Sequence, residues 1–186
     1  MKNLIRQQFL IIIMISLPGI VLSQGNKEKK NIIEWLSFAD AYKLNKKKPK
    51  KMFVDVYTDW CGWCKKMDKE TFQDPDIATY MQKHFYCVKL NAETKDTIVI
   101  DTVKFINSNP VGRGGNNRLA VELLRGKMSY PSYVFLNEQN QVLSVVPGFM
   151  NVDGFAPVIH YFGENAFKDV KWEEYRDTYN KTGTKK

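Results

Sequence analysis

At 186 residues, 44% hydrophobic and 13% aromatic, the chain is long and apolar enough for one globular domain with a real core, which excludes an intrinsically disordered protein. Its formal charge of +8 lies mostly in lysine runs at 27–30, 46–51 and 181–186. These lack interleaved aromatic residues, so they fit a solvated surface with weak attraction for acidic partners and not a nucleic-acid interface.

Residues 1–23 read as a signal peptide. Lys2 and Arg6 precede an apolar run from Phe9 to Leu22, with cleavage expected after Ser23. The run is interrupted by Ser16, Pro18 and Gly19 and is short for a bilayer span of about 20 residues. Export without stable membrane insertion is therefore expected, an uncleaved anchor being the alternative. Residues 24–30 read as a polar linker and 31–162 as the domain.

Ile32, Ile33, Trp35 and Leu36 have the composition of a short first strand, and Ser37-x-x-Asp40 has the form of a capping box for a helix to Lys47, stopped by Pro49. Met52 to Tyr57 is a run of β-branched and aromatic residues suited to a strand buried on both faces, with one acid, Asp55, inside it. After the turn at Thr58-Asp59 comes Cys61-Gly62-Trp63-Cys64, followed by residues without Pro or Gly that predict a helix carrying both cysteines in its first turn. A cysteine at a helix N-terminus faces unpaired backbone N–H groups and the positive end of the macrodipole, which favour thiolate over thiol. A Cys-x-x-Cys loop is too short to be a useful staple, and export implies an oxidising compartment, so redox chemistry is the natural use of the pair.

Asp74-Pro75 predicts another capped helix, and Phe85 to Leu90 a further strand, giving the order βαβαβ and parallel pairing. Residues 93–115 form an insertion with a candidate hairpin at Thr97–Ile100 and Val103–Ile106 and a glycine-rich loop, ahead of a helix at Leu119–Leu124 stopped by Gly126. Pro131–Leu136 and Val142–Val146 read as an antiparallel pair, and Asn151 as the cap of a last helix in which Pro157 forces a late start or a kink. In the extension 163–186, Trp172, Tyr175 and Tyr179 share one helical face and are expected to fold back on the domain. Cys61, Cys64, His84 and Cys87 have the count of a zinc site, but the odd spacing of His84 and Cys87 sends them to opposite faces, so no metal is expected and Cys87 reads as a buried small hydrophobe.

The strand with Asp55, the lead-in Tyr57-x-Asp59-Trp60, the Cys-Gly-Trp-Cys and the lysine after it together resemble the thioredoxin superfamily. The resemblance implies an α/β thioredoxin-like fold: a central mixed sheet flanked by helices, here with an insertion before the cis-proline strand and a C-terminal helical extension. It implies an exposed nucleophile at Cys61, a buried resolving thiol at Cys64 and a cis-proline at Pro131, which leaves the backbone of Tyr130 free for a substrate strand. Trp60, Gly62 and Trp63 then belong with Tyr130 and Pro131 to the substrate-facing rim, and Asp55 with Lys89 to the groups that tune the cysteines. Two departures, Gly-Trp for Gly-Pro between the cysteines and an aromatic before Pro131, prevent carrying over a potential. The function implied is a monomeric, cofactor-free thiol–disulfide oxidoreductase of the bacterial periplasm that reduces protein disulfides and is reset by a membrane thiol–disulfide electron donor. A disulfide oxidase or isomerase, or a non-catalytic binding or chaperone module, is the alternative.

Overall fold

The computed structural model describes residues 33–109 and 115–182, so the signal-peptide and linker readings lie outside the described residues. In chain order the elements are α1 (Phe38–Lys47), β1 (Lys51–Tyr57), α2 (Gly62–Glu70), α3 (Pro75–His84), β2 (Phe85–Asn91), β3 (Ile98–Ile100), β4 (Val103–Phe105), α4 (Arg118–Leu123), β5 (Ser132–Leu136), β6 (Val142–Pro147), α5 (Val152–Gly163) and α6 (Trp172–Thr182), with a single 3-10 turn at Ala166–Lys168. The main sheet has the order β2-β1-β5-β6, parallel between β1 and β2 and antiparallel elsewhere, and β3 and β4 form a separate hairpin.

The strand expected over Ile32–Leu36 is reduced to one parallel bridge, Leu36 to Val88. Leu36 exchanges hydrogen bonds with the Cys87 carbonyl and the Lys89 amide, and the next residue, Ser37, already caps α1 by accepting from the Asp40 amide at 3.1 Å. The chain is committed to the helix before a second rung can form. Pro157 neither delays α5 nor displaces its cap: the helix begins at Val152, with Asn151 accepting from the Gly154 amide at 3.0 Å.

Alternation along β1 sorts the core into two layers. Met52, Val54 and Val56 face α1 and α4 with Val88, Leu90, Val134 and Leu136. Phe53 faces the other way, toward α2, α3 and α5, and its ring lies within 6.5 Å of those of Trp35, Phe72, Phe85, Tyr133, Phe135 and Phe155. Asp55, two residues on, shares this aromatic face. The hairpin of the insertion is moored to α1 by Asp101, which accepts from the Tyr42 hydroxyl at 2.9 Å and pairs with Lys46. At the C-terminus Tyr161 of α5 packs against Trp172 and Tyr175 of α6 at 5.4 and 5.1 Å between ring centroids, and His160 against Tyr179 at 5.3 Å.

Asp74 accepts from the amides of both Asp76 and Ile77 at 3.0 Å, and Pro75 opens α3 with its φ already helical. Asp74→Ala is expected to cost about 1 kcal/mol and lower the thermal midpoint by about 3 °C, measurable by circular dichroism.

Candidate active site

Cys61 and Cys64 are joined by a disulfide at the N-terminus of α2. Cys61 is the cap residue itself: its sulfur accepts from the Cys64 amide at 3.0 Å, so a free N–H of the helix's first turn is aimed at the atom that would carry thiolate charge. The resemblance implied an exposed Cys61 and a buried Cys64. In the disulfide form both are buried, at 4% and 2% exposed, so Cys61 is not the exposed residue the resemblance implied. What is exposed is the flank, with Trp60 at 66% and Trp63 at 58%.

The two tryptophans are held differently. Trp60 meets Tyr130 edge-on at 5.9 Å, and its indole N–H donates to both carboxylate oxygens of Glu93, at 3.1 and 3.0 Å. Trp63 leans on Phe149 at 5.4 Å, with the Lys66 ammonium over both rings. Gly62 opens α2 between them, and a side chain there would meet nothing within 4 Å. The Tyr130–Pro131 bond is cis, the Tyr130 hydroxyl donates to Asn116 at 2.8 Å, and the Pro131 carbonyl accepts from the Gly148 amide at 2.8 Å. Gly148 has φ +98, a conformation open chiefly to glycine, and it turns the chain from β6 so that Phe149 reaches Trp63.

A buried charge cluster links β1, β2 and α2. Asp55 is 1% exposed and stands between Lys89 of β2 and Tyr133 of β5 in the sheet register. Lys89 donates to Asp55 at 2.9 Å and also pairs with Asp68, which sits one helical turn after Cys64 on α2. Burial pushes the Asp55 carboxyl up to about 6; Lys89 opposes this and Asp68 adds to it. Its second oxygen and the Tyr133 hydroxyl have no hydrogen-bond partner among the described residues. Burial works against the Lys89 charge, but the two carboxylates outweigh it and hold its pKa above the ordinary value.

Cys87 lies apart, 2% exposed in the aromatic layer, with its thiol pushed up to about 12 by burial. His84 ends α3, stacked on Tyr80 at 4.2 Å. The structure sets Trp60 against Tyr130 and pairs Asp55 with Lys89, and to these it adds Asp68, Glu93, Lys66 and Phe149. The position of Asp68 one turn after Cys64 was a readable signal; the others reach the site only through tertiary contacts.

Fold and site define a thioredoxin-like fold with a Cys-x-x-Cys disulfide at the head of a helix and a cis-proline before β5. The family profile Thioredox_DsbH, described as a protein of unknown function, DUF255, matches residues 24–154, and the chain belongs to that family. It is 29% identical over 105 residues to the thiol:disulfide interchange protein DsbD of Haemophilus influenzae, a match covering 55% of this chain and 15% of that protein. The chain spans between 11% and 22% of the length of the curated relatives it matches. Among solved structures, a putative disulphide-isomerase from Bacteroides thetaiotaomicron is 26% identical with a TM-score of 0.50, covering 73% of this chain and 95% of that one. A thioredoxin-fold protein from Helicobacter pylori shares the fold at 15% identity, with a TM-score of 0.57 over 72% of this chain and 86% of that one.

Proposed function

We propose that the protein reduces disulfides of other proteins in an extracytoplasmic compartment, cycling Cys61 and Cys64 between dithiol and disulfide. The observation that carries this reading is Cys61 at the head of α2, its sulfur taking the Cys64 N–H, on a helix whose next turn is tied through Lys89 to a buried acid.

In the reduced protein the Cys61 thiolate attacks one sulfur of a substrate disulfide; the S–S bond breaks and the departing sulfur takes up a proton. Cys64 then loses its proton, attacks Cys61 in the mixed disulfide and releases the second substrate thiol, leaving the Cys61–Cys64 disulfide. Two electrons pass to the substrate. Asp55, ionising at about 6, is about 90% carboxylate at pH 7 and a stronger base than an ordinary aspartate, suited to accept the Cys64 proton. Lowering the Cys61 pKa from about 8.5 to about 7 raises its thiolate fraction at pH 7 from about 3% to about half, but nucleophilicity falls with pKa, so attack gains only about threefold. The rest of the acceleration comes from holding the substrate beside Tyr130 and Pro131, between Trp60 and Trp63 and over Gly62.

The N-terminal residues support export, and the match to part of DsbD supports a membrane thiol–disulfide partner as the source of electrons. No helix among the described residues is long and apolar enough to cross a membrane. The direction of transfer is tested by equilibrating the protein with glutathione buffers. A potential near about −270 mV is expected of a reductant, and one above about −150 mV would make the protein a donor of disulfides instead.

A further inference from the structure

We infer that the rim around the disulfide is charge-polarised and selects polypeptide substrates carrying an acidic residue on the Trp63 side of the reacting cysteine, with Phe149 and Lys66 as the specificity-determining side chains. The inference rests on the disulfide-reducing function proposed above and names the chemistry of its substrates.

Trp60 and Trp63 are the two most exposed large apolar side chains among the described residues, and they flank one disulfide. Their surroundings carry opposite charge. On the Trp60 side a carboxylate, Glu93, is bound to the indole N–H, and Asp59 is the preceding residue in sequence. On the Trp63 side the Lys66 ammonium stands 5.4 Å from the Trp63 ring centroid and 5.0 Å from that of Phe149. Among the described residues Lys66 is paired with one carboxylate, Glu70 at 3.8 Å, and the two side chains are 44% and 51% exposed. So loose a pair in water is worth at most about 1 kcal/mol and yields readily to a better partner. Lys65 and Lys69 line a separate open groove with Asp68, which is already engaged by Lys89.

A substrate chain laid across the two tryptophans covers part of the aromatic corner with its own backbone. An acidic side chain reaching that corner meets an ammonium held over two ring faces and, once the substrate backbone lies over it, less exposed to water than in the free protein, where a charge-assisted hydrogen bond is stronger than on an open surface. A basic side chain there faces like charge, and on the opposite flank it meets Glu93. Tryptophan and lysine together also suit an anionic membrane surface, but Glu93 and Asp59 on the opposite flank of the same disulfide would repel such headgroups, and polarity along a single strand is what a peptide can match.

The test uses two synthetic peptides with the same intramolecular disulfide, one with glutamates before and lysines after it, the other with the order reversed. One order is expected to be reduced about tenfold faster in kcat/KM at low salt, roughly the effect of one semi-buried ion pair. The ratio is expected to fall below about twofold in Lys66→Gln and to be retained in Lys66→Arg, while Phe149→Ala raises KM for the preferred peptide about fivefold with little change in kcat. Equal rates for the two peptides in the wild type, or a preference that survives in Lys66→Gln, would overturn the inference. So would sedimentation of the wild type with phosphatidylglycerol vesicles in the absence of any peptide preference, which would assign the patch to a membrane surface. Turnover of uncharged hydroxyethyl disulfide by the wild type separates the two levels: without it the disulfide-reducing reading itself fails, and with it only the charge selection is at stake.

Discussion

Cys61→Ser is expected to abolish reduction of insulin disulfides, lowering the rate at least about a thousandfold to the background of dithiothreitol alone. A serine hydroxyl is not ionised at neutral pH, and the Cys64 sulfur has no disulfide to attack if residue 61 cannot form one. Cys64→Ser fails differently. Cys61 still attacks, but nothing resolves the product, so the protein accumulates as a mixed disulfide with its substrate, visible on non-reducing gels and assignable to Cys61 by mass spectrometry. Cys87 cannot stand in for either residue. It is 2% exposed and its thiol is pushed up to about 12, which leaves about one molecule in 10⁵ as thiolate at pH 7. Wild-type turnover by Cys61→Ser, or trapping at Cys87, would remove the site at the head of α2 from the chemistry.

The residues that such experiments address were legible in the sequence because each has a local signature. The cysteine pair opens a helix, the acid interrupts an apolar strand, and Ser37, Asp74 and Asn151 announce helix starts by side chains that bond amides two or three residues on. The failures are equally physical. Ile33 is 3% exposed, as a strand residue would be, but pairing depends on backbone geometry, and the cap at Ser37 ends the strand one bridge after it starts. Phe149 and Glu93 lie 86 and 32 residues from Trp63 and Cys61 in the numbering. They arrive by different routes, Phe149 through the turn at Gly148 and Glu93 through the start of the insertion, so no pattern within one element marks them. Lys66 was one more lysine on a basic helix until Phe149 gave it a place. Asp55 was legible as a buried acid, whereas the sharing of its lysine with Asp68 follows from the sheet register that sets Lys89 beside it.

Burial, with Asp68 adding to it, makes Asp55 a site where function opposes stability. Its carboxyl ionises at about 6 in the folded protein against an ordinary 3.8. A folded-state pKa above the unfolded one means that the stability contribution is complete below about pH 4 and is lost as pH rises through about 6, by about 3 kcal/mol for a difference of this size. Asp55→Asn removes the titration while keeping the shape. The variant is expected to match the wild type near pH 3.5 and to exceed it by up to about 3 kcal/mol at pH 7.5, the gain being reduced by whatever Lys89 loses when Asp68 is its only remaining carboxylate. Denaturant melts at the two pH values measure this directly. The same substitution is expected to slow turnover about 10- to 100-fold and to erase the limb of the rate profile near pH 6, because an amide cannot take the proton from Cys64. A variant less stable than the wild type at pH 7.5 would mean that the ion pair with Lys89 outweighs the burial of the charge. An unchanged rate profile would mean that Cys64 loses its proton by another route. The paired outcome, a protein made stronger and slower by one neutral atom group, is what a carboxylate kept in an aromatic interior for its basicity requires.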